Sequence, residues 1–203
     1  VTGDELLVAL GRRPNTDTLD VEAAGLATDD RGFLETDEYL ATSAANVWAL
    51  GDIAGNQPSK HSGDYETCQL VRTVVHDDQT PVDYTAMPHA IFTEPQMAGV
   101  GETEQALREA GIEYVVGRQS IPDTPMGRAK KLDSGFVKVL AAPDGEILGV
   151  HILGYEASTM IHEAVVAMRT GSGTVDAITD TIHAHPTINK AVEAAFRDAE
   201  AGL

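Results

Sequence analysis

Cysteine is nearly absent from this sequence: Cys68 is the only one in 203 residues. A single thiol cannot close an internal disulfide, which excludes an oxidised, cystine-stapled scaffold. Basic residues are scarce as well. Lys and Arg number 14 against 32 Asp and Glu, a formal net charge of −18. That excess repels polyanions and, with no local basic patch to offset it, argues against a nucleic-acid partner. Apolar runs fall far short of the roughly 20 residues that a membrane span needs, so no membrane partner is expected. No basic segment leading into an apolar stretch opens the chain, so no export signal is read there. Aromatics are only 5% of the residues, but hydrophobic residues reach 42%, enough for a packed core.

The acidity itself points somewhere. Carboxylates cluster at Asp29-Asp30, Asp77-Asp78 and Asp198 to Glu200. A dense carboxylate surface stays hydrated where salt screens its self-repulsion, so a salt-rich cytoplasm is expected, with an ordinary acidic cytosolic protein as the alternative. The chain starts at Val1 and runs directly into Glu5-Leu6-Leu7-Val8-Ala9-Leu10, which reads as a buried strand with no preceding partner. A lone strand cannot fill its ladder, so the sequence is expected to be the C-terminal part of something longer.

Turn residues at Gly11 to Thr16 end that segment. A short helix over Leu19–Ala24 is expected next, then short strands at Phe33–Glu35 and Val47–Leu50. Cys68, Leu70, Val71, Val74 and Val75 share one face of a helix predicted over about Gly63–Val75, which makes Cys68 a packed thiol. The polar run His76 to Pro81 is the expected domain boundary. Beyond it, Ala90–Phe92, Met97–Val100, Glu113–Val116, Phe136–Leu140 and Ile147–Leu153 read as strands, with Asp144-Gly145 as a hairpin turn. Thr103 caps and Gly111 stops a predicted helix. Ser158–Thr170, Val175–Thr179 and Ile188–Ala201 read as further helices. Hairpin-joined strands followed by a helical tail predict an α+β layer.

Two places could carry chemistry. A strand delivers Gly51 and Asp52 at its carboxyl end, where α/β sheets gather ligands, although Gly-Asp after a strand is more often just a turn. The second is His183-Ala184-His185-Pro186-Thr187. Two histidines spaced two apart suit zinc, but no further ligand sits nearby at metal spacing, and taken alone His185 reads as a structural loop residue. Weaker candidates are the basic cluster Arg128, Lys130 and Lys131 in a loop, and His162 with Glu163 inside a helix, where packing is the simpler role.

Read together, Gly11-Arg12-Arg13-Pro14-Asn15-Thr16, Glu38 through Asp52, Phe92-Thr93-Glu94-Pro95 with Val100 to Glu104, Gly149 to Gly154 and His183 to Thr187 form an ordered set. In it the chain resembles the flavin- and nicotinamide-dependent disulfide reductases: the dihydrolipoamide dehydrogenase, glutathione reductase, mycothione reductase and mercuric reductase group. The resemblance implies FAD and NAD or NADP as cofactors, a homodimer, and a small disulfide or dithiol substrate; the composition and the missing export signal imply the cytoplasm. It divides the chain into residues 1–85, the end of a nicotinamide domain plus the returning half of an FAD domain, and 86–203, an antiparallel interface domain with flanking helices. Asp52, with Gly51 beside it, would hold the ribityl chain of FAD, and Lys60 and His61 would lie near the flavin. His185 would be the acid-base catalyst for the redox disulfide of the partner subunit, with His183 as its polar neighbour. Imidazole suits that task because its unperturbed pKa lies near 6.5.

One position departs from the pattern. The family often has Glu five residues after that histidine, and here Lys190 stands there. With Thr187 as N-cap, residue 190 would also be the capping-box position, which Lys cannot serve. Glu193, one helical turn on, is the candidate substitute. The alternatives are a non-catalytic dimerisation module, or a mercuric-reductase-like enzyme, against which the absence of any cysteine near Leu203 counts. No Gly-x-Gly-x-x-Gly loop and no close cysteine pair occur in these 203 residues, so the relay cannot run on them alone.

Overall fold

A computed structural model describes residues 2–203. The chain divides into two compact units, one ending at Asp83 and the other running from Tyr84 to Leu203. No helix among the described residues is long and apolar enough to cross a membrane.

The second unit is an α+β layer. Its strands are β1 (His89–Ile91), β2 (Gln96–Gly101), β3 (Val115–Ser120), β4 (Phe136–Ala141) and β5 (Ile147–Gly154). They form one antiparallel sheet in the order β1-β2-β5-β4-β3. The β4–β5 connection turns at Gly145, whose φ of 92° only glycine adopts freely, as Asp144-Gly145 predicts. Side chains alternate across a strand. Ala98, Val100, Val137, Val139, Val150 and Ile152 therefore share one face, and all are buried. Helix α4 (Ala157–Arg169) packs on β2 and β5, and α6 (Lys190–Glu200) on β3 and β4. Phe196 on α6 is the largest fully buried side chain. At Gly117 a Cβ would overlap the α6 backbone at Ala195 and Ala199, so the missing side chain lets the helix lie directly on β3.

Helix α2 (Glu104–Ala110) has the expected ends: Thr103 accepts from the Ala106 amide at 3.1 Å, and Gly111 is left-handed at φ 67°. The expected strand Glu113–Val116 begins later, at Val115, and runs to Ser120. Helix α3 (Pro125–Lys130) replaces the expected loop around the basic cluster. Thr124 caps it and Pro125 takes its first turn, where proline's lost N–H costs nothing. Lys130 lies over the Tyr155 ring at 4.7 Å. Helix α5 (Asp176–Thr179) is a single turn.

The first unit departs further from expectation. Residues 5–10 form no strand, and Leu6, Leu7 and Leu10 are exposed, because among the described residues no strand lies beside them to complete a ladder. Leu19–Ala24 forms turns instead of a helix, and a 3-10 turn occupies Thr16–Thr18. The two expected short strands shrink to isolated bridges, Thr28–Leu34 and Ala41–Trp48. A small core gathers Leu34, Ala49 and Ala54. Helix α1 (Lys60–His76) forms as predicted but with the opposite face inward. Ser62, Glu66 and Gln69 are buried, whereas Cys68, Val71, Val74 and Val75 are exposed. Cys68 is thus no packed thiol.

Candidate functional site

The histidine segment lies between α5 and α6, and α4 holds it from beneath. His183 points inward and is only 5% exposed. Its Nε2 pairs with Glu163 Oε1 of α4, and its Nδ1 lies 3.4 Å from Thr181 Oγ1 and 3.9 Å from Glu193 Oε2 of α6. The second oxygen of Glu163 accepts from Asn189 Nδ2 at 2.9 Å. One carboxylate therefore grips the chain on both sides of His185. Between these anchors, Thr187 donates its hydroxyl to the Ala184 carbonyl at 2.8 Å. His185 is exposed, and among the described residues its ring makes no hydrogen bond or ion pair. The imidazole is held by its backbone and left open to a reactant.

Glu193 does not meet His185. It is 9% exposed, and its carboxylate takes Lys190 Nζ, Arg197 Nε at 3.2 Å and the flank of His183. Lys190 is the first residue of α6 and Asn189 stands at the N-cap position, its side chain going to Glu163 instead of capping the helix, so Thr187 is not the N-cap and the capping-box reading does not apply. The lysine instead draws Glu193 along its own helix. Hydrogen bonding from Lys190, and then from Arg197, lowers the Glu193 pKa against the opposing effect of burial. A carboxylate depressed in this way stabilises the fold above its unfolded pKa and loses that contribution as pH falls through the folded value. Acid titration is expected to destabilise the chain below about pH 4.5, and Glu193→Gln is expected to flatten that limb of the stability–pH curve, read by urea unfolding at pH 3–7. Equal slopes in both proteins would sink the assignment.

In the first unit, Gly51–Ile53 is a 3-10 turn with Gly51 at φ 74°. The buried Glu66 carboxylate accepts the Gly51 amide at 2.5 Å and pins the turn to α1. Asp52 next to it is 58% exposed, with Arg12 at 3.6 Å. Both line a cavity of about 380 Å³ with Arg13, Pro14, Phe33 and Ile53. Lys60 and His61 open α1 and are exposed, and Lys60 pairs with Asp64. Glu66 was not singled out by sequence reasoning. Its only trace there is the polar i, i+4, i+7 stripe Ser62-Glu66-Gln69, which carries no motif. An open carboxylate beside two guanidinium groups fits a ligand bearing both hydroxyls and phosphates, so the residues suit the FAD that the resemblance implies.

An antiparallel sheet flanked by helices, with a histidine presented on a tethered loop, is the architecture of a flavoprotein disulfide reductase interface domain. Residues 87–196 match the family "Pyridine nucleotide-disulphide oxidoreductase, dimerisation domain", and residues 1–76 match "Pyridine nucleotide-disulphide oxidoreductase". The chain belongs to this family, which uses FAD and NAD(P)H. It is 39% identical over 97% of its length to mitochondrial dihydrolipoyl dehydrogenase of Dictyostelium discoideum. It is 35% identical over 98% of its length to dihydrolipoyl dehydrogenase 3 of Haloarcula marismortui. The chain spans 40% and 42% of those two relatives. Among solved structures it is similar to the HOCl-induced flavoprotein disulfide reductase RclA of Escherichia coli, with 27% identity and a TM-score of 0.88, covering 96% of this chain and 45% of that one.

Proposed function

We propose that the chain is the carboxyl-terminal portion of a homodimeric, FAD-dependent NAD(P)H:disulfide oxidoreductase acting on a small disulfide or dithiol. His185 carries this reading: an uncovered imidazole, on a segment fixed at both ends, is what a proton donor to a departing thiolate requires. FAD, when bound, supplies the two-electron link between a nicotinamide and a sulfur pair. The residues of this chain supply part of the remaining work. Asp52 accepts hydrogen bonds from polyol hydroxyls, Glu66 holds Gly51 in place beneath it, and Arg12 and Arg13 offer charge to phosphate oxygens. Lys60 and His61 stand at the start of α1 as further contacts toward the flavin. His185 moves a proton at its ring nitrogen, and the tether of His183 to Glu163 keeps it in position. The names of the similar dehydrogenases support dihydrolipoamide as the dithiol, whereas Lys190 in place of Glu favours another small thiol. The carboxylate excess supports work in a salt-rich cytoplasm.

In the intact enzyme, Asp52→Asn is expected to weaken FAD binding by about 10- to 100-fold, the loss of charge-assisted hydrogen bonds, with the melting curve of the apoprotein unchanged. Fluorescence titration of the apoprotein with FAD measures it, and unaltered affinity overturns the cofactor assignment. The rival reading, a non-catalytic dimerisation module, draws on the large separate core of the second unit. It predicts a dimer that takes up no flavin in the same titration.

A further inference from the structure

Three polar side chains fasten one face of α1 inward. Ser62 closes the capping box with Ser59. Glu66 accepts the Gly51 amide at 2.5 Å. Gln69 donates Nε2 to the Tyr65 hydroxyl at 2.9 Å, and that hydroxyl accepts the Asp83 amide at 3.2 Å. These ties fix the rotation of the helix about its axis and so fix what it shows outward. Cys68, Val71 and Val75 stand at i, i+3 and i+7 on the exposed side, with Val74 beside them. The stripe runs for about 10 Å at the α-helical rise. Arg72 on its flank does not cover it, because the guanidinium is drawn to Asp78 at 2.6 and 2.9 Å.

Polar ties inward and an apolar stripe outward invert the usual order of a surface helix, whose apolar stripe faces the core. The rest of the first unit shows the same shortfall. Its core cluster gathers only Leu34, Ala49 and Ala54, while Leu6, Leu7 and Leu10 are exposed along with the valines. A contiguous apolar patch open to water marks a surface that another body covers. The comparisons point to which body. The pyridine nucleotide-disulphide oxidoreductase match ends at residue 76, where α1 ends, so α1 belongs to that domain. The chain spans 40% of the Dictyostelium relative, so most of the length of such a protein lies outside these residues. The dimerisation match begins at residue 87, beyond α1, which directs a second copy to other residues.

We propose that the stripe of Cys68, Val71, Val74 and Val75 is a docking surface for an apolar face of the same domain, contributed by the part of the intact protein outside these 203 residues. The inference rests on the reading of the chain as a portion of an FAD-dependent reductase. The docked face carries aliphatic side chains and no charge, since valines and a thiol give a buried ion no adequate partner. Docking also reaches the cofactor turn. Glu66, on the opposite side of the same helix, holds Gly51 next to Asp52, so a helix clamped from outside keeps that turn in place.

The test follows Cys68 in the intact, FAD-loaded enzyme, by N-ethylmaleimide labelling and mass spectrometry of the peptide that contains it. Labelling is expected to be at least about 100-fold slower than in the same protein unfolded in urea, and unchanged on dilution through the dimer–monomer range. Val71→Asp is expected to speed labelling at least tenfold and to hasten FAD loss, and Val71→Ala to do both more weakly in a chain that still folds. Gln79→Asp, exposed beyond the end of α1, is expected to label and to hold FAD as the parent does. Labelling at the unfolded rate, in an enzyme that retains FAD and turns over a disulfide, overturns the docking surface and leaves the functional reading standing. Protection that vanishes on dilution gives the stripe to a second copy and overturns it too. An intact protein that takes up no FAD overturns the functional reading instead, and the docking inference with it.

Discussion

Replacing His185 with alanine in the intact enzyme is expected to slow turnover of the disulfide substrate by 10²- to 10⁴-fold, the usual contribution of a positioned acid-base group. Reduction of the flavin by NAD(P)H is expected to proceed at the parent rate. The separation of effects follows from geometry. His185 is exposed and, among the described residues, makes no hydrogen bond or ion pair, so its removal is expected to cost little stability, and in the proposed role its proton belongs only to the sulfur half of the cycle. Stopped-flow measurement of the two half-reactions decides the matter. Equal slowing of both, or of neither, would falsify the assignment. His185→Gln, which keeps hydrogen bonding but cannot pass a proton as an acid or base, is expected to match alanine in rate.

Glu163→Ala is expected to lower the stability of the chain by about 2–3 kcal/mol. The change leaves the His183 Nε2–H and the Asn189 amide without their shared acceptor, and His183 is too buried for water to replace it fully. The Glu163 side chain keeps about a fifth of its surface in water, so the cost stays below that of breaking a fully buried ion pair. Denaturant unfolding measures it, and a change under about 0.5 kcal/mol would show that the grip carries no load. In the intact enzyme the same substitution is expected to act through His185, lowering the rate of the sulfur half-reaction while leaving its pH dependence in place. A merely structural role would change stability and spare that rate.

How far the sequence could be read depended on the range of the forces involved. The caps of α2 and the turn at Gly145 are local devices, written within a few residues, and the structure has them where the sequence puts them. Helix α3 is local too, but Pro125 and Gly127 read as breakers until Thr124 is recognised as a cap and Pro125 as a first-turn residue. The first unit was misread because its patterns presuppose neighbours: Leu6 to Leu10 form a continuous apolar run with no strand beside it among the described residues, and the apolar side of α1 is its exposed side. At the candidate site the two histidines were legible as a motif, but their roles relative to the carboxylates were not. Glu163 stands 20 residues from His183 and 26 from Asn189, a link that only tertiary folding makes. Lys190, read as a lost carboxylate, also gains a partner in Glu193 and so removes it from reach of His185.

Gly117 has a reach beyond its own strand. Because α6 rests on bare backbone there, a single hydrogen atom sets the depth of that helix, and Asn189 at its head follows. Any bulk added beneath would lift the whole lever and shift the segment that carries the His185 imidazole. A substitution beneath α6, remote in sequence from the histidine segment, would thus disturb the proposed proton transfer without touching any group assigned to it.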